Sequence, residues 1–148
     1  MEALFNEDKQ MTLNEFRLFH SELIENYQFI EFNLEGIYAA LSSKSFCEGL
    51  EDVEKTNLHN LRLLIAKMEK HIGEPVFTEE ENIVLEKVIQ ERNFWVHNCY
   101  VDLTFGHKED DGPRNEYDLL RLRNAIIESG KVRDWLFDKK IKLMHEKR

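Results

Sequence analysis

Apolar residues recur three and four positions apart without a break along one stretch of this chain: Phe16, Phe19, Leu23, Tyr27, Ile30, Leu34, Ile37 and Leu41. A strand turns its side chains to opposite faces at every second residue, so this spacing commits the segment to an amphipathic helix. It predicts a helix from about Thr12 to Ser42, about 45 Å long at 1.5 Å per residue. An apolar stripe of that length cannot be covered by one short neighbour, so the rest of the chain must supply several packed elements. The opposite face carries Glu22, Glu25, Glu31 and Glu35 and is expected to be solvated. Phe29 and Phe32 flank the stripe and widen the apolar surface towards the core or a second subunit.

Three further helices are expected. One runs from about Glu51 or Val53 to His71, with Leu58, Leu61, Leu64 or Ile65, and Met68 in register before Gly73 and Pro75 stop the pattern. The next runs from about Thr78 to about Cys99: Thr78-Glu79-Glu80-Glu81 is a capping-box pattern, followed at helical spacing by Ile83, Val84, Leu85, Val88 and Ile89. This helix is expected at the centre of the bundle, with His97 near a subunit boundary. The last runs from about Asn115 or Tyr117 to Lys142, with Leu119, Leu122, Ile126, Val132 or Arg133, and Leu136 on its buried face, and with Trp135 and Phe137 packed on neighbours. Between them, Tyr100 to Arg114 loses helical period, and His107 to Pro113 reads as an exposed acidic turn. With 148 residues, 42% of them hydrophobic, and only six Gly and two Pro, the chain is long enough for one core. The expected architecture is all-α, a compact bundle of about four principal helices in a single domain spanning residues 1–148, assembled as a dimer.

Charge narrows the function classes. At a net −9 the chain should repel an extended polyanion, so broad nucleic-acid binding is disfavoured, whereas a basic protein partner is compatible. The basic cluster Lys139, Lys140, Lys142, Lys147 and Arg148 reads as favourable charge near a helix C-terminus. Met1 to Gln10 holds four charges and no apolar run, and no stretch approaches a membrane span, so a cytoplasmic protein is expected. Cys47 and Cys99 are 52 residues apart in no metal or redox pattern and are expected to be buried thiols. His59 and His71 read as surface histidines. With neither a phosphate-binding glycine loop nor an HExxH pattern, no cofactor and no metal are expected.

The chemistry-bearing stretch is Glu91-Arg92-Asn93-Phe94-Trp95-Val96-His97, which puts a permanent cation, an amide and an imidazole on a helix expected to be buried. At 100° per residue Asn93 and His97 stand about 40° apart, whereas Arg92 and His97 stand about 140° apart and about 7.5 Å apart along the axis. The arginine's five rigid donors suit a phosphate, and a histidine with a free pKa of about 6.5 exchanges a proton near neutrality. Together they fit cleavage of an RNA phosphodiester by its own 2'-hydroxyl, which needs no metal when cationic donors stabilise the charge on phosphorus. The same residues could instead pair with some of the 29 carboxylates or satisfy polar groups across the bundle.

Arg92-Asn93-Phe94-Trp95-Val96-His97 resembles the R-x4-H motif of the HEPN superfamily, the higher eukaryotes and prokaryotes nucleotide-binding domains, in which a polar residue often follows the Arg; here that residue is Asn93. The resemblance implies a helical bundle, commonly dimeric, and a metal-independent endoribonuclease of a toxin-antitoxin or other defence system. It implies that Arg92, Asn93 and His97 are catalytic, with two copies of the motif facing one another across an inter-subunit cleft that takes RNA. A protein antitoxin or regulator is a further implied partner. The HepT-like toxin branch carries a Tyr two residues after the motif His; this chain has Cys99 there and Tyr100 one place later. A non-catalytic helical module that binds nucleotide, RNA or protein through the same residues is the competing expectation.

Overall fold

The computed structural model describes residues 12–99 and 116–147, and the expected loop and acidic turn between Tyr100 and Arg114 lie outside them. Five helices are present among the described residues, and no strand: α1 Leu13–Leu41, α2 Phe46–Val53, α3 Leu58–Ile72, α4 Glu79–Asn93 and α5 Glu116–Glu146. A π-helical turn, Phe94–Asn98, continues α4.

Side-chain caps set most of these boundaries. Thr12, Ser45, Asn57 and Thr78 each accept from the backbone N–H three residues on, satisfying a donor that a helix start leaves orphaned. The second helix, expected from about Glu51 or Val53, starts only at Leu58, and α2 before it was not anticipated. Ser45 starts α2, the chain turns after Val53, and Asn57 starts α3, which Gly73 ends in a left-handed conformation with φ 81°. Gly49 is what lets α2 lie on α1: a Cβ there would come within 2.8 Å of the Ala39 backbone.

The central element is α1, not α4 as the sequence led us to expect. It packs on α2, α3, α5 and the π turn, because its stripe is apolar over eight turns whereas α4 buries chiefly Leu85, Val88 and Ile89. α1 and α5 run parallel, joined by a buried polar ladder. Asn26 Nδ2 donates to Ser129 Oγ at 3.1 Å, Arg133 Nη1 donates to Asn26 Oδ1 at 3.1 Å, and Asn33 Nδ2 donates to the Arg133 carbonyl at 3.1 Å. α4 runs antiparallel to both, so its C-terminal end and the π turn lie beside the N-terminal part of α1, where Trp95 packs against Phe16 and His20.

Two further expectations are corrected. Cys47 is exposed, and only Cys99 is buried. Lys139 and Lys140 are not free charges at a helix end, because α5 continues to Glu146 and leaves both inside the bundle. Lys139 Nζ donates to the Val76 carbonyl at 2.7 Å and to Glu81 Oε1 at 2.8 Å. His59 and His71 are exposed. Among the described residues no helix is long and apolar enough to cross a membrane.

Glu81 closes the Thr78 capping box and receives Lys139. Burial by itself would raise its carboxyl, but the bonds from Lys139 and Thr78 outweigh that and hold it below the usual range. We expect Glu81→Ala to destabilise the fold by about 1–2 kcal/mol in urea denaturation, the scale of a lost cap. Because the folded value is the lower one, this contribution is full above the unfolded carboxylate value of about 4.3 and is lost as pH falls through the folded value. The stability difference between wild type and variant should therefore shrink in acid.

Candidate functional site

The π turn falls inside the Arg92 to His97 interval. In an α-helix residues five apart stand about 140° apart, but in a π turn residue i bonds to i+5 and each residue advances the helix by less. The turn therefore swings His97 back towards the side of Arg92 and keeps it near Asn93. Asn93 and His97 are exposed, and Arg92 is partly buried, so the three polar groups do not sit in the core as the sequence reading expected. They lie at the surface because Trp95, Ile89 and Cys99 occupy the inward face of this segment.

Two devices hold the turn. The Trp95 indole, 1% exposed, donates through Nε1 to Glu91 Oε2 at 3.0 Å. Arg121 of α5 grips the same carboxylate at two points, Nη2 to Oε1 at 2.8 Å and Nε to Oε2 at 3.2 Å, and its guanidinium lies 3.6 Å above the Phe94 ring. A two-point fork fixes geometry as well as charge. The second device is His20 on α1. Its Nε2 lies 2.7 Å from the Trp95 carbonyl, and since a carbonyl only accepts, Nε2 carries the proton. The Cys99 thiol donates to that carbonyl at 3.1 Å. Side chains thus help satisfy the backbone where the helical ladder changes register.

The surroundings of Arg92 are mixed. Its Nη2 lies 4.0 Å from Glu31 Oε2, a contact at the outer limit of an ion pair, and Glu31 in turn helps raise the Glu35 carboxyl, chiefly a burial effect. Tyr27 is buried nearby. Burial and then Glu91 push its hydroxyl well up, with Arg121 and Arg92 pulling the other way, so it stays un-ionised near neutrality. Among the described residues the side chains of Asn93 and His97 make no hydrogen bond with one another, and no three His, Cys, Asp or Glu side chains are grouped to hold a metal ion.

His20, Glu31 and Arg121 were not anticipated as part of this region, nor was the bracing role of Glu91. The four-residue spacing of Glu91 and Trp95 was a readable sign of their pairing. Nothing local in the sequence ties His20 or Arg121, 75 and 30 residues from their partners, to it. No protein-family model matches the chain, and no curated protein or solved structure was found to be similar to it.

Proposed function

We propose that the protein is a metal-independent endoribonuclease of the HEPN type, working in the cytoplasm as a homodimer with RNA in the cleft between subunits. The observation that carries this reading is the π turn. It draws His97 round towards Arg92 on an exposed surface and is braced from α1 and α5 by His20 and Arg121. In the reaction, His97 takes the 2'-hydroxyl proton as the 2'-oxygen bonds to phosphorus. Arg92 stabilises the phosphorane, and the bond to the 5'-oxygen breaks as His97 of the partner or a water protonates it. Products carry a 2',3'-cyclic phosphate and a 5'-hydroxyl. Asn93 orients His97 or binds a phosphate oxygen. Val96, exposed beside His97, gives the cleft an apolar edge for the dimer contact. A toxin or defence role, with a basic antitoxin facing the acidic body, fits the net charge of −9.

The test is incubation of the purified chain with a mixed RNA pool in EDTA, with fragment ends mapped and the mass measured by light scattering. Cyclic-phosphate ends and about twice the 17.7 kDa chain mass are expected. Cleavage only with added divalent metal, or a persistent monomer, contradicts the reading.

In this reading His20 is a positioning residue. His20→Ala should lower kcat about tenfold with little change in KM, a loss of roughly 1.4 kcal/mol of transition-state stabilisation. His20→Gln, which can still donate an N–H to the Trp95 carbonyl, should recover part of it, whereas a residue needed only for stability would move both variants together with their unfolding midpoints.

One observation favours the second reading, a binding or interaction module without catalysis: Glu31 already competes for Arg92. Glu31→Gln should tighten short RNA binding by about two- to fivefold, under about 1 kcal/mol for a partly exposed pair. Anisotropy with labelled RNA in a His97→Ala background would measure it. Tightening without any cleavage by the wild type would favour the module.

A further inference from the structure

The groove between α1 and α5, whose wall includes Phe32 and Asn33, holds a charge with no counter-ion among the described residues. Lys140 is 6% exposed, and its Nζ donates to Asn33 Oδ1 at 2.9 Å. Among the described residues no carboxylate lies within ion-pair reach of it. Asn33 is held in that orientation because its Nδ2 donates to the Arg133 carbonyl. The lysine stem is fixed too: a Cβ on Gly36 would stand 2.4 Å from Lys140 Cδ, so glycine makes the channel through which the side chain reaches the groove.

Around the ammonium the walls are aromatic. Its nitrogen lies 4.5 Å from the Phe32 ring centre and 5.0 Å from that of Phe137, and Phe29 completes the lining. All three rings are about half exposed, 45%, 53% and 48% for Phe29, Phe32 and Phe137, around a cavity of about 330 Å³. Ring faces attract a cation, but they do not replace the water that an ammonium loses on burial, and two of its three N–H groups have no acceptor among the described residues. Burial accordingly holds Lys140 below the ordinary lysine range. Lys140, expected as favourable charge near a helix C-terminus, and Phe137, expected to pack on neighbours, both line this groove.

We propose that this groove binds a small aromatic monocarboxylate, with the acid on the Lys140 ammonium and the ring between Phe32, Phe29 and Phe137. A monoanion is favoured over a phosphate by the rest of the lining. Arg133 is already engaged by Asp134 at 3.6 Å and by Asn26, and the Asp134 and Asp138 carboxylates in the lining oppose a dianion more than a monoanion. The cavity lies at the small end of ligand pockets, which run from about 300 to 1,000 Å³, and so suits one ring or two fused rings.

The test is a titration of the full chain with 2-naphthoate followed by ¹H–¹⁵N NMR, alongside its neutral isostere 2-naphthamide and inorganic phosphate. Saturable shifts of the Asn33 side-chain amide and of backbone amides near Lys140 are expected with naphthoate, with naphthamide at least about tenfold weaker and phosphate without effect. Lys140→Met keeps the stem, so the fold should persist by circular dichroism while naphthoate affinity falls at least about tenfold. Phe137→Ala, at a half-exposed position, should weaken naphthoate without unfolding the chain. Equal binding of the amide, unchanged affinity in Lys140→Met, or no shifts at millimolar naphthoate would overturn the proposal. So would shifts at these residues that follow protein concentration alone, which would mean that a second copy covers the groove.

Discussion

His97→Ala should cut the rate of RNA cleavage by about 10²- to 10⁴-fold, the range over which a positioned general acid-base group acts. The loss should appear in kcat, because an imidazole that moves a proton in the transition state contributes little to ground-state binding. His97 is exposed and its side chain makes no hydrogen bond, ion pair or ring contact among the described residues, so the unfolding free energy should stay within about 0.5 kcal/mol of wild type. Single-turnover kinetics with a short RNA, together with urea denaturation, separates the two quantities. A variant that unfolds easily and still cleaves would invert the account on both counts.

Trp95→Ala should have the largest effect on stability, about 3–5 kcal/mol, as for other buried aromatic truncations. The indole is 1% exposed, meets Phe94 edge-on with ring centres 5.0 Å apart, and contacts Phe16 and His20. Its removal leaves a cavity under the π turn and takes one donor from Glu91, although Arg121 still holds that carboxylate. Trp95→Phe should be milder, since the ring remains and chiefly the N–H to a charged acceptor is lost, about 1.5–3 kcal/mol. Thermal or chemical denaturation checks the order. If the alanine variant were as stable as the phenylalanine variant, the turn would not depend on this ring.

Much of the helical layout could be read from side-chain chemistry. The Phe16 to Leu41 stripe and the Thr78 to Glu81 capping box mark boundaries that local physics alone decides, and α1 and α4 start where those residues say. Ser45-Phe46-Cys47-Glu48 has the same residue spacing and caps α2, although there Ser45 accepts from the Glu48 N–H and its hydroxyl, not its backbone N–H, donates to Glu48 Oε1. Eight residues are too few for hydrophobic period to speak, so period alone leaves α2 unseen and starts α3 several residues early, at Glu51 or Val53. The π turn had no such local sign. It rests on partners distant in sequence, His20 on α1 and Arg121 on α5, and long-range pairing is invisible to spacing rules. The same holds for Lys140, whose buried place comes from a glycine and an asparagine on α1 over 100 residues away.

The central claim is that Arg92 and His97 of two chains act in one site, and subunit mixing tests it most directly. Arg92→Ala and His97→Ala chains, each inactive alone, would be mixed, allowed to exchange, and assayed for RNA cleavage in EDTA, with heterodimer formation followed by native mass spectrometry. A heterodimer keeps one intact Arg92 and one intact His97 in the shared cleft, so the account predicts that cleavage returns and yields 2',3'-cyclic phosphate ends. Heterodimers that form and remain as inactive as either parent would contradict it.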